Sequence, residues 1–130
     1  AVRYMQRVAG ELMRAYRRGT IASFDRVLAR HADVPGIAMY SLGRYQRSLP
    51  RGKRPQYYRG VRAFMARYFA EQSHKYEIVK GWIEDTPIKD GDGWLVRSRV
   101  KLASGSTYNV VWRVTRKNGD VNALVAALNR

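Results

Sequence analysis

The feature that most constrains this chain is a change of hydrophobic period at His74. Up to that point apolar residues recur every three or four positions, the spacing of one helix face; beyond it they alternate, the spacing of one strand face. The helical part divides at its punctuation. Residues 2–18 carry Val2, Met5, Val8, Leu12 and Ala15 or Tyr16 on one stripe. Gly19 is a stop, and Thr20 caps a second helix, about 20–31, with Ile21, Phe24, Val27 and Leu28 on one face. Asp33 caps a third helix, 34–47, with Pro35 in its first turn. After the basic loop Arg51 to Arg54 comes the strongest helix, about 54–74. Tyr57, Tyr58, Val61, Phe64, Met65, Tyr68 and Phe69 give it a wide aromatic face, with Arg59, Arg62 and Arg67 on the other side.

The second part reads as a meander. Tyr76–Glu84 alternates moderately, and Asp90-Gly91-Asp92-Gly93 is a turn. Trp94, Val96, Ser98, Val100 and Leu102 then point one way, with Leu95, Arg97, Arg99 and Lys101 the other. Ser104-Gly105 turns the chain into a return strand with Tyr108, Val110, Trp112 and Val114 on one face. A last short helix is expected at 118–129, capped by Asn118 or Asp120, with Val121, Leu124, Val125 and Leu128 as its stripe. Helices, then a meander, then a helix predict one α+β domain, with helices on one face of an antiparallel sheet that is buried on one side and largely wet on the other.

The net charge is +15, and it is uneven. Residues 1–67 hold 15 basic and 3 acidic side chains, a net of +12; residues 68–130 hold 10 and 7, a net of +3. Such a field attracts polyanions or anionic membranes; the plain alternative is a solvated basic surface. There is no cysteine, which excludes disulfides and thiolate chemistry. No stretch reaches the length of a membrane span. The start, Ala1-Val2-Arg3-Tyr4, lacks an apolar secretory core, so any signal peptide is expected to be already removed.

Catalysis finds little footing. His31 and His74 are far apart, without metal-ligand spacing, and read as helix-end residues. Glu84 and Asp85 are adjacent on a strand end and so face opposite ways, a poor acid/base pair. Asp90-Gly91-Asp92-Gly93 lacks the later ligands of a calcium loop, and Ser104-Gly105-Ser106 has no neighbouring base. The expectation is a non-enzyme with no cofactor and no metal. A basic nucleic-acid-binding domain is the alternative, since arginines interleaved with aromatics can stack bases. Against it, the aromatics follow core periodicity and the arginines take the opposite face.

Several segments together resemble the MlaC (toluene-tolerance) family. They are Asp33-Val34-Pro35-Gly36-Ile37-Ala38, Leu42-Gly43-Arg44-Tyr45, Tyr57-Tyr58-Arg59-Gly60-Val61-Arg62-Ala63-Phe64 with Arg67-Tyr68-Phe69-Ala70, and the paired strands Val96-Arg97-Ser98-Arg99-Val100 and Tyr108-Asn109-Val110-Val111-Trp112-Arg113. Their order and spacing over about residues 20–116 carry the likeness. The tail departs from it: Arg116 is followed at once by Lys117-Asn118-Gly119-Asp120-Val121, so that a strand and a helix of the family pattern, roughly 25–35 residues with their loops, are expected to be missing between 116 and 117.

The resemblance implies a periplasmic carrier of phospholipid or a related lipid, moving between an outer-membrane lipoprotein complex and an inner-membrane ABC transporter, with bound phospholipid as its ligand and no nucleic acid. It implies a cone of the nuclear-transport-factor type, in which helices and a curved sheet enclose an apolar cavity. Periodicity alone would have Phe64, Tyr68, Trp82, Val100, Tyr108 and Trp112 fill a core. The resemblance instead makes a pocket lining of Val34, Ile37, Ala38, Leu42, Tyr45, Val61, Phe64, Met65, Tyr68, Trp82, Val100, Tyr108, Val110 and Trp112. Arg44, Arg47, Arg51 and Arg54 are then candidates to meet a headgroup phosphate, an anionic membrane or a partner.

Overall fold

The computed structural model describes residues 2–117 and 120–129, with the side chains of 2–115. Four helices come first: α1 (Val2–Arg18), α2 (Ile21–His31), α3 (Val34–Leu42) and α4 (Arg54–Lys75). Five strands follow: β1 (Ile78–Ile83), β2 (Ile88–Asp90), β3 (Gly93–Leu102), β4 (Thr107–Lys117) and β5 (Asp120–Asn129). The sheet is antiparallel, in the order β1-β3-β4-β5, with β2 pairing the far end of β3. The fold is therefore α+β. Among the described residues no helix is long and apolar enough to cross a membrane.

The helix boundaries follow local chemistry. Gly19 ends α1 with φ +66°, a conformation that costs a side chain-bearing residue dearly. The Thr20 hydroxyl accepts the Ser23 backbone N–H at 3.2 Å and starts α2. Asp33 accepts the Gly36 N–H at 3.2 Å and starts α3. Its carboxylate fills the space where a side chain at position 36 would begin, so any larger residue there would have to displace the cap. The third helix is shorter than its expected span of 34–47. It stops at Leu42, and Gly43–Ser48 continues as a 3₁₀ segment.

Two apolar clusters hold the layers together. Tyr4, Met5 and Val8 of α1 pack against Val96 of β3 and Val114 of β4, with Ile83 and Trp112 alongside. Ala15, Phe24, Val27 and Leu28 pack against Ala66 and Ala70 of α4, flanked by Met65 and Phe69. Leu12 belongs to both. Each fully buried valine or methionine contributes about 1.5–3 kcal/mol relative to exposure. Polar ties supplement them. Tyr16 Oη donates to the carbonyls of Gln72 and Tyr76 at the end of α4, and Arg62 Nε reaches Asp25 at 2.8 Å. His74 Nε2 sits 3.0 Å from the Gly19 carbonyl. Trp112 Nε1 donates to Ser98 Oγ at 2.7 Å, which donates to the Val110 carbonyl at 2.9 Å.

Three expectations are corrected. The last helix at 118–129 is instead strand β5; of its two expected caps, Asp120 opens the strand and Asn118 lies outside the described residues. The run Val121–Leu128 is apolar at both periods, and pairing it with β4 covers what would otherwise be an open sheet edge. The α4 face is the second correction. Its packed seat is the alanine pair Ala66 and Ala70, because small side chains let α2 approach closely, while Phe64 is 58 % exposed and Tyr68 stacks beside it at 6.2 Å. Arg62, expected on the far side, consequently faces α2. The third is Ile21, which lies in the exposed first turn of α2. The junction between Arg116 and Lys117 falls within β4, opposite Val121 and Asp120.

A polar latch, unforeseen from the sequence, also joins α1 to α2. Glu11 contacts His31 Nε2 through one carboxylate oxygen and Arg30 through the other. His31 Nδ1 is 3.0 Å from Tyr4 Oη, so the ring bridges the Glu11 carboxylate and the Tyr4 phenol. Burial pushes the Tyr4 phenol up to about 12, opposed by Arg7 and aided by Glu11. For Glu11, burial alone would raise the pKa, but the hydrogen bonds and charges of His31 and Arg30 outweigh it and hold the carboxyl below its ordinary 4.5.

Met5→Ala is expected to lower unfolding free energy by about 2–5 kcal/mol, and Phe64→Ala by less than about 1 kcal/mol, in urea titrations. Equal losses would mean that the faces are misassigned. Glu11→Gln is expected to cost about 1–3 kcal/mol at neutral pH. Because the folded-state pKa is depressed, the stabilisation exists above the ordinary value of 4.5 and disappears as pH falls through the folded value. Parallel pH–stability curves for the two proteins would refute it.

Candidate functional site

An open groove of about 790 Å³ runs between α3 and α4. Ile37 and Ser41 form one wall. Leu49 and Lys53 of the connecting segment close one end, and Gln56, Tyr57, Gly60, Val61, Phe64 and Met65 form the other wall. From Gln56 to Met65 the helix rises about 14 Å, enough for an extended alkyl segment to lie along it. The volume is in the range of small-molecule sites, about 300–1,000 Å³.

Local sequence builds this groove. Seating α4 on Ala66 and Ala70 turns the stripe 57–61–64 away from α2 and toward α3. The Tyr57 hydroxyl donates to the Ala38 carbonyl at 3.1 Å and lies 3.0 Å from Ser41 Oγ, fixing the separation of the two helices. Gly60 supplies no side chain, and a Cβ built there meets nothing within 4 Å, so the groove floor is open at that position. The polar groups of the lining are a hydroxyl, an amide, a phenol already bonded and one lysine. That set suits apolar matter with a wet margin, and the lining holds no acid/base pair.

Of the residues expected to line a pocket, the structure brings Ile37, Val61, Phe64 and Met65 together in this groove. Val34 and Ala38 are buried within α3, Leu42 is half-buried at its end, and Tyr45 is exposed. Tyr68 is half-exposed and stacks on Phe64. The sheet residues are elsewhere. Val100, Tyr108, Val110 and Trp112 share the helix-facing side of the sheet, and Trp112 packs into the α1 cluster. Trp82 is on the other side, opposite Arg99. The groove also uses Ser41, Leu49, Lys53, Gln56, Tyr57 and Gly60, which no sequence argument singled out as lining. The readable signal was Gly60 in the middle of an aromatic helix stripe.

The cations flank this groove in sequence. Arg44 stacks over Tyr45 at 5.3 Å, and Arg47 and Arg51 are exposed in the 3₁₀ segments that lead to Lys53. Arg54 opens α4, and its Nε is enclosed without a hydrogen-bond partner among the described residues. Asp90 and Asp92, the faint calcium-loop motif, are each 3.0 Å from Arg113, which accounts for both carboxylates as ion pairs.

A family model described as "MlaC protein" matches residues 6–124. No curated protein matches the chain, and no solved structure does.

Proposed function

The chain belongs to the MlaC family of lipid-binding periplasmic carriers, and from that premise we propose that it carries phospholipid, or a related lipid, with acyl chain seated along the α3–α4 groove. In this reading it is the soluble component of an ABC-type lipid transport system. It shuttles between an outer-membrane lipoprotein complex and an inner-membrane ABC transporter complex and performs no chemistry on its cargo. The observation that supports it is the apolar groove floored by Gly60 and walled by Ile37, Val61, Phe64 and Met65.

The energetics suit carriage. Each CH₂ removed from water is worth about 0.8 kcal/mol, so an alkyl segment of about ten methylenes laid along the groove gains up to roughly 8 kcal/mol. Passage from bilayer to groove exchanges one apolar environment for another and is nearly balanced. Arg44, Arg47, Arg51 and Arg54 would stand at the headgroup end or against docking partners. We further take the family's strand and helix to be missing between Arg116 and Lys117; their presence would extend the sheet and help enclose the lipid.

Solvent extraction and mass spectrometry of the purified protein are expected to yield phospholipid near one per chain; none after gentle purification would overturn the reading. Gly60→Leu is expected to keep or raise thermal stability, because leucine favours the helix by up to about 1 kcal/mol over glycine and has room. The same substitution fills the groove and should sharply reduce lipid loading. Full loading in that variant would place the lipid elsewhere. Reversing the charge of the four arginines should lower headgroup selectivity or transfer rate, and unchanged values of both would remove them from the site.

A further inference from the structure

The outer face of the sheet carries a built cluster that the groove does not use. Lys80 of β1 stands directly opposite Lys101 of β3, and the next same-face pair is Trp82 opposite Arg99. Register partners share a face, so the four side chains form one patch. The helices lie on the reverse face, where Val96 and Val114 are buried against α1. Lys80 Nζ rests 4.9 Å from the centre of the Trp82 ring, and Trp82 is 42 % exposed. Of the acids nearby, Glu84 pairs with Arg97 at 2.9 Å and Asp90 and Asp92 pair with Arg113, while Glu77 and Asp85 make no ion pair with the patch among the described residues. Among the described residues Lys80, Arg99 and Lys101 have no acidic partner.

Like charges directly opposite each other destabilise a sheet. Here the repulsion between Lys80 and Lys101 is left uncompensated beside a third cation, Arg99, although Arg97 and Arg113 on the same face are matched. We propose that this patch is a docking surface for an anionic phospholipid bilayer. The anionic plane would supply the missing counter-charge, and the indole would settle at headgroup depth, where tryptophan concentrates. A base-stacking platform fits less well, because Lys80 occupies one face of the Trp82 ring and no second aromatic stands in register on this side of β1, β3 or β4.

The test is sedimentation with phosphatidylcholine vesicles containing about a third phosphatidylglycerol, each well-placed cation contributing roughly fivefold to partition. The protein should bind these vesicles at low salt, release them as salt rises, and ignore pure phosphatidylcholine. Lys80→Gln combined with Lys101→Gln should weaken partition by more than about tenfold. It should not lower the melting temperature, since it removes a like-charge pair. Brominated lipids should quench the wild-type fluorescence more than that of Trp82→Phe. Undiminished vesicle binding in the double variant would move docking to the basic helical half and overturn the proposal. So would the absence of binding, or tighter binding to an oligonucleotide that the same variant abolishes. Lipid content by extraction, measured on both proteins, reports on the groove separately.

Discussion

The structure depends on one stripe of α1 being apolar along its whole length. Among the described residues its first turns supply the buried helical members of the sheet cluster, Tyr4, Met5 and Val8, while Ala15 in its last turn belongs with α2 and α4. Leu12 touches both. A single helix thus couples a helical layer to a sheet that comes much later in the chain, and the Glu11–His31–Tyr4 latch ties it to α2. Because α1 shields the sheet's inner face, α3 and α4 are left to meet each other, and the groove forms where they do.

The seating of α4 on alanines has a consequence beyond packing. A helix that buried its aromatic face would have a larger core and no groove. Using Ala66 and Ala70 instead brings α2 close with little apolar area, and leaves Val61, Phe64 and Met65 available on the neighbouring arc. Exposed aromatic surface of this kind costs solubility unless something covers it. In the carrier reading, the cargo covers it, which ties stability and loading together: a ligand that binds only the folded state raises its stability by mass action.

Much of this was legible before any coordinates. Helix starts at Thr20 and Asp33 are written in single capping residues, and the alternation from Trp94 to Val114 assigned the faces of β3 and β4, because period two leaves one register that buries Val96 and Val114. The face of α4 was not legible. Alanine carries almost no hydrophobic signal, yet it marks the seat, while the louder aromatics point to the groove and solvent. The placement of Trp82 was hidden by the irregularity between Ile78 and Lys80, which shifts β1 relative to β3 and sends Trp82 to the outer face. Strand β5 was missed because an apolar run satisfies both periods and only its neighbour decides. The Glu11–His31 pair joins two helices through residues twenty positions apart, a separation no local pattern reports.

The two candidate surfaces are placed on different layers, and this separation has a physical logic. A lipid groove must be apolar and tight, whereas a surface that meets membranes must be charged and quickly reversible. Put on one face, the cations would be dehydrated by each cargo molecule that entered, at a large cost. In the carrier reading the groove would hold chains with Lys53 only at its end, while the outer face of β1 and β3 keeps Lys80, Arg99 and Lys101 hydrated. The sheet between them is stiffened by nine cross-strand register pairs joining β3 to β4. It lies between the helical layer that carries the candidate groove and the charged outer face.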